Sequence, residues 1–132
     1  MEKNIREAFC NYLDAKMEEI TLNEQQLLTE ERKDEASHEK IKSNIYQIFK
    51  TIYFSLEKNP TRTQEEIKEQ FLEKLEAIPN NWKIALDKAR QHQDAERILI
   101  EEIKFEIRDE IRATYMRIME EENDRNTGNT TI

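Results

Sequence analysis

Glycine and proline are almost missing from this chain, one and two residues among 132. Hairpins and other tight turns draw on glycine for positive φ, so their scarcity argues against a β-rich fold. The residues that dominate instead (Ala, Leu, Glu, Lys, Gln, Arg and Met) are helix formers. A single glycine also rules out the two phosphate-cradling loops, the P-loop and G-x-G-x-x-G, so no nucleotide site is signalled.

Other shortages exclude further classes. The one cysteine, Cys10, cannot form an internal disulfide, which fits a reducing compartment. No run approaches the roughly 18 apolar residues of a membrane span. The start, MEKNIREAFCNYL, lacks the long apolar core of a signal peptide. A cytoplasmic protein without a membrane segment is expected. Positive charge is also short: 21 basic against 29 acidic residues leave a net charge of -8, which opposes non-specific binding to nucleic acid or anionic lipid. Only residues 79–93 carry a local basic excess, through Lys83, Lys88 and Arg90. They would need to extend towards Arg62 to form a nucleic-acid patch.

What is present is periodic. Charged residues make up 38% and mean hydropathy is -0.97, values that lean towards disorder. The apolar residues nevertheless recur at helical steps, which argues for a folded domain. A chain of this length fits one domain and buries about two-thirds of its unfolded surface. Residues 45–56, IYQIFKTIYFSL, are the most apolar dozen. Ile41, Ile45, Ile48, Phe49, Ile52 and Leu56 form their stripe, and Tyr46, Tyr53 and Phe54 widen it. A helix apolar over so much of its circumference belongs at the centre of a bundle.

Taken in order, the first helix spans about residues 2–31, with Ile5, Phe9, Tyr12, Leu13, Ile20 and Leu27 as its stripe. Lys16 and Asn23 interrupt that stripe. Residues 32–39 read as a polar turn, with Asp34 or Ser37 capping the central helix. Asn59-Pro60 stops that helix. Thr63 with Glu66 forms a capping box for a third helix ending at Pro79. Asn80 or Asn81 caps a short fourth helix carrying Trp82, as its anchor or as an exposed contact residue, and Asp94 caps a last helix over about 94–122. The polar remainder, 123–132, reads as a loose tail. The expected architecture is an all-α, antiparallel up-down bundle of about four columns built from four to five helices, its third column broken at Pro79. The domain covers 1–122.

Few residues promise chemistry. Glu35-x-x-His38 matches the unit that places two metal ligands on one helix face in carboxylate-bridged bundles. The fold of such sites needs a second unit, and the other histidine, His92, has Ala89 three residues before it. Cys10 lacks a nearby histidine that would make it a nucleophile and reads as a small apolar residue. No catalytic, cofactor or metal site is therefore expected, and no cofactor. Tyr46, Phe49 and Tyr53 line one edge of the central helix, as core or as a ligand groove. On the last helix Lys104, Arg108 and Arg112 flank one side of the Ile stripe, and Glu102, Glu106, Asp109 and Glu110 the other, as in a coiled-coil seam or a solvated face.

The clearest anomaly lies opposite that stripe, where Ile98, Phe105, Met116 and Met119 would face water in a simple bundle. Burial under another helix of the chain would explain them, and so would a second subunit. Under the second explanation they form an interaction surface, and the expected function is a protein–protein contact, with a homodimer through the last helix as its simplest form. The alternative is a ligand- or metal-binding bundle that uses Glu35/His38 or the Tyr46/Phe49/Tyr53 edge.

Overall fold

In the computed structural model the backbone is described for residues 2–130 and side chains for residues 5–123. Five helices account for nearly all of it: α1 (Glu2–Thr29), α2 (Lys33–Glu57), α3 (Gln64–Ala77), α4 (Asn80–Gln91) and α5 (Ala95–Thr130). The all-α bundle expected from composition is what forms, with no strand among the described residues. The last helix continues past Glu122 to Thr130. The expected tail falls largely on residues 124–132, whose side chains lie outside the described residues.

Side-chain partners give the direction of each packing pair. As α1 advances, its contacts retreat along α2: Phe9 meets Tyr53, Asp14 meets Lys50, and Asn23 meets Glu39. The two helices are antiparallel. Contacts of α5 advance together with those of α2, from His38–Glu96 through Tyr46–Glu110 to Tyr53–Tyr115, so these two are parallel across the core. The α3–α4 column runs against α5: Phe71 packs on Tyr115, Arg112 pairs with Glu76, and Trp82 packs on Phe105.

With glycine scarce, the chain turns corners on other residues. Glu31 and Gln93 take positive φ, 62° and 54°. Each closes the preceding helix by the same pair of bonds, Arg32 N–H to Leu27 O with Glu31 N–H to Leu28 O, and Asp94 N–H to Ala89 O with Gln93 N–H to Arg90 O. This is the Schellman arrangement, normally given to glycine because a Cβ is disfavoured in the left-handed region. The first closure makes the α1–α2 connection shorter than the polar turn expected at 32–39. Residues 33–39 are already helix, and Asp34 and Glu35 sit in its first turn, where negative charge suits the exposed N–H groups. Neither Asp34 nor Ser37 is the cap; Arg32 holds that position without a side-chain bond.

The Thr63–Glu66 capping box is present in both directions. It is worth about 1 kcal/mol. Asp94 Oδ1 accepts from Arg97 N–H at 3.1 Å and caps α5 as expected. Asn80 and Asn81 do not cap α4. Helical geometry runs through Ile78 into Pro79, which itself occupies the cap position with no side-chain bond. The helix breaks there because Pro79 has no N–H to continue the ladder.

The core is aromatic at its centre. Phe9, Tyr53, Phe71 and Tyr115, one from each of four helices, are fully buried. Their rings meet edge to face, with centroids at 4.9 Å for Phe9–Tyr53, 5.0 Å for Phe9–Tyr115 and 5.0 Å for Phe71–Tyr115. Each such pair contributes about 0.5–1.5 kcal/mol beyond area burial. Aliphatic residues of the α1, α2, α3 and α5 stripes surround this cluster.

Candidate interaction surface

The anomalous face of α5 is largely covered from within the chain. Phe105 packs edge-on against Trp82 of α4 at 5.8 Å, and Trp82 in turn packs on Phe49 of α2 at 6.4 Å. Met119 belongs to the buried core, and Ile98 and Met116 are half-buried. Of the two explanations for these four residues, burial by another helix of the chain accounts for Phe105, and burial in the core accounts for Met119. The physical reason is the placement of the third column. Trp82 of α4 packs on Phe105 while Phe71 of α3 packs on Tyr115, so α5 needs apolar residues over a wider arc than one core-facing stripe.

The same seam contains a buried carboxylate. Glu101 has no exposed surface. Its Oε2 lies 3.1 Å from Lys104 Nζ and 3.4 Å from Arg97 Nε. Lys104 Nζ also stands 5.9 Å from the centre of the Trp82 ring. A buried charge is tolerated when paired, and here both partners reach it from adjacent turns of the same helix.

The alternative sites separate. Glu35 pairs with Arg32, whereas His38 Nε2 lies 2.9 Å from Glu96 Oε1 on α5. They do not converge, and no group of three possible metal ligands exists among the described residues. Tyr46, Phe49 and Tyr53 do not line a groove; all three are core, exposed by 1% or less. Burial removes the phenolate form's hydration, which pushes the Tyr46 and Tyr53 hydroxyls, and that of Tyr115, well above the ordinary tyrosine value. Tyr46 donates to Glu110 at 3.3 Å and its oxygen lies 3.4 Å from the Tyr12 hydroxyl. Cys10 is half-buried and free, its thiol pushed up chiefly by burial.

The polar residues inside the α1 stripe find partners in a cleft among α1, α2 and α5. Asn23 donates to Glu39 at 3.3 Å, and Lys16 lies 3.6 Å from Glu110. Glu39 also meets Lys42 at 2.7 Å. Lys16 and Asn23 thus match carboxylates supplied by neighbouring helices. The basic residues of α4 do not join Arg62, which donates to Leu56 O at the α2–α3 connection. The 14 residues of α3, about 21 Å of helix, separate them.

One surface stands out that the sequence pattern did not flag. Residues 40–56 contain no Asp or Glu, in a chain with 29 of them. Their exposed flank on α2 carries Asn44, Gln47, Ile48, Thr51 and Ser55, with Ile41 and Ile52 half-buried beside it. The three lysines of the stretch are each matched within the chain: Lys40 to Glu24 at 3.9 Å, Lys42 to Glu39, and Lys50 to Asp14 at 2.6 Å. The flank is therefore close to neutral. Depletion of charge is the compositional mark of an interface centre. A window count of carboxylates would have revealed it; counting apolar positions did not, because its exposed members are mostly amides and hydroxyls.

Among the described residues no helix is long and apolar enough to cross a membrane. No protein-family model, no curated protein and no solved structure matches the chain.

Proposed function

We propose that this bundle is a self-associating interaction module, in which two copies meet across the outer flank of α2. The carrying observation is the carboxylate-free, charge-matched surface of residues 40–56 on a protein of net charge -8. Two such copies repel over most of their surfaces, and the repulsion is least where neither presents a carboxylate. The amides of Asn44 and Gln47 and the hydroxyls of Thr51 and Ser55 both donate and accept, so the flank can pair with its own copy about a two-fold axis. Ile48 supplies the apolar centre at 38% exposure. The function assigned is a binding one, with no reaction attached to it. A free, half-buried Cys10 is compatible with a cytoplasmic setting.

The flank is about 24 Å long, at the small end of specific interfaces, so a dissociation constant near 100 μM, about 5.5 kcal/mol, is expected. Sedimentation equilibrium from about 10 μM to 1 mM reads it directly. A concentration-dependent dimer that Ile48→Asp abolishes is the expected result. A monomer throughout the range, or a dimer indifferent to Ile48→Asp, overturns the proposal.

A further inference from the structure

The helix α4 is attached to the bundle differently from the other four. Among the described residues no hydrogen bond or ion pair joins its side chains to another helix. The others are tied across their packing faces: Lys50 to Asp14 at 2.6 Å between α2 and α1, His38 to Glu96 at 2.9 Å between α2 and α5, and Arg108 to the Leu75 carbonyl at 3.0 Å between α5 and α3. α4 rests on apolar and ring contact alone, and on little of it. Leu86 and Ala89 are the buried residues among its 12. Trp82 is half-buried, edge-on to Phe105 and Phe49, with Lys104 beside its ring.

Both ends of α4 suit detachment. Pro79 has no N–H, so the backbone ladder of α3 is interrupted where α4 begins, and no side chain caps that start. At the other end Gln93 holds its Cβ in the left-handed region at φ 54°, a conformation that relaxes when the closure of α4 is released. Asp94 caps α5 through its own bond to Arg97 N–H at 3.1 Å, so the start of α5 does not depend on α4. A helix of this length is marginal in water by itself, so undocking and unwinding go together.

We infer that α4 is a flap that opens as a unit between Pro79 and Gln93 while α1, α2, α3 and α5 stay packed, uncovering the Phe105 face of α5. The four remaining helices keep the ring cluster of Phe9, Tyr53, Phe71 and Tyr115, to which α4 contributes no side chain. Opening takes Trp82 away from Phe105 and Phe49, so a covered apolar face becomes an open one. Segments that bury few apolar side chains and lack polar ties occupy the low-stability end of a structure, from which moving parts are drawn. The flap lies away from the outer flank of α2 and does not depend on self-association.

Hydrogen exchange of the full chain, at low micromolar concentration and in steps of urea, tests this. The amides of residues 84–91 bond within α4. They are expected to exchange at least about 100-fold faster than the slowest amides of α1, α2 and α5, with a weaker dependence on urea. Two variants separate the units. Ile20→Val in α1 weakens the open and closed forms alike. It should speed the slow amides of α1 and α2 by about 2–10-fold and leave 84–91 unchanged. Leu86→Ala weakens only the closed form, so it should speed both sets by the same factor, at least about 30-fold. An α4 without any protection beside a protected core is the limiting form of that result and supports the flap. Exchange of 84–91 at the rate of the core, or acceleration of 84–91 by Ile20→Val equal to that of the core, overturns it. So does a Leu86→Ala variant in which 84–91 are unchanged, because those amides then exchange by fraying.

Discussion

The back of α5 and the outer flank of α2 are the two places where this chain departs from a simple amphipathic bundle. They come out oppositely. The back of α5 is rich in large apolar residues scattered among charges, and α4 packs over its Phe105 through Trp82. The flank of α2 is modest in apolar content, lacks carboxylates, and stays open, with Ile48 exposed. Apolar residues interspersed with charge are what a helix needs when a neighbour leans onto it. A neutral, uncharged flank has no such use inside the bundle.

Breaking the covered side should have the largest effect. Trp82→Ala removes the ring that joins Phe49, Phe105 and Lys104. A loss of about 3 kcal/mol in urea-denaturation stability is expected. A loss below about 0.5 kcal/mol would show that α4 does not hold that face.

The buried carboxylate of the same seam comes next. Glu101→Ala leaves Lys104 and Arg97 without their partner, and both can turn to water because they are partly exposed. A loss of about 1–3 kcal/mol is expected. Glu101→Leu should restore most of it, because leucine fills the buried volume that alanine leaves empty while both cations still reach water. Equal losses in both variants would mean that the charge itself is required.

Alkaline pH tests how completely the interior is sealed. Tyr46, Tyr53 and Tyr115 have phenol pKa values raised by burial above their unfolded value of about 10. Between the unfolded and folded values the native state keeps protons that the unfolded chain has released. Stability is therefore fully present below pH about 10 and falls as pH rises beyond it. Denaturant melts at pH 8, 10 and 11 should show a progressive drop, and phenolate absorbance from these tyrosines should appear together with unfolding. Ionisation of all four tyrosines in the folded protein would contradict the sealed core.

Smaller effects belong to the turns and the open flank. Gln93 holds a left-handed conformation without being glycine. Gln93→Gly should stabilise by about 0.5–1 kcal/mol, read as a higher denaturation midpoint. Ile48→Asp should leave the monomer within about 0.5 kcal/mol of wild type. Its effect belongs to self-association alone, which is the sharpest form of the contrast with Trp82→Ala.

The helices were legible because their signals are local. Periodic stripes, the Thr63–Glu66 box, the Asp94 cap and the stops at Pro60 and Pro79 act within one or two turns of chain. Asp34, Ser37, Asn80 and Asn81 do not cap, for a related reason. A short polar side chain is able to cap, but whether it does depends on where the preceding helix closes. Here Glu31 ends α1 by a Schellman closure and fixes the start of α2.

Sequence alone determined the class of the protein: helical, acidic, one domain's length, with an apolar column at 45–56. Those properties are sums over residues or near-neighbour patterns. Only the tertiary structure decided which anomalous face is covered. That choice depends on where the α3–α4 column lies beside α5, a long-range packing of Trp82 on Phe105 and Phe49 that no periodicity encodes. It also decided that Lys16 and Asn23 meet carboxylates, and that the lysines of residues 40–56 are neutralised by Glu24, Glu39 and Asp14. Charge matching between helices needs the helices placed, and the open flank of α2 follows from it.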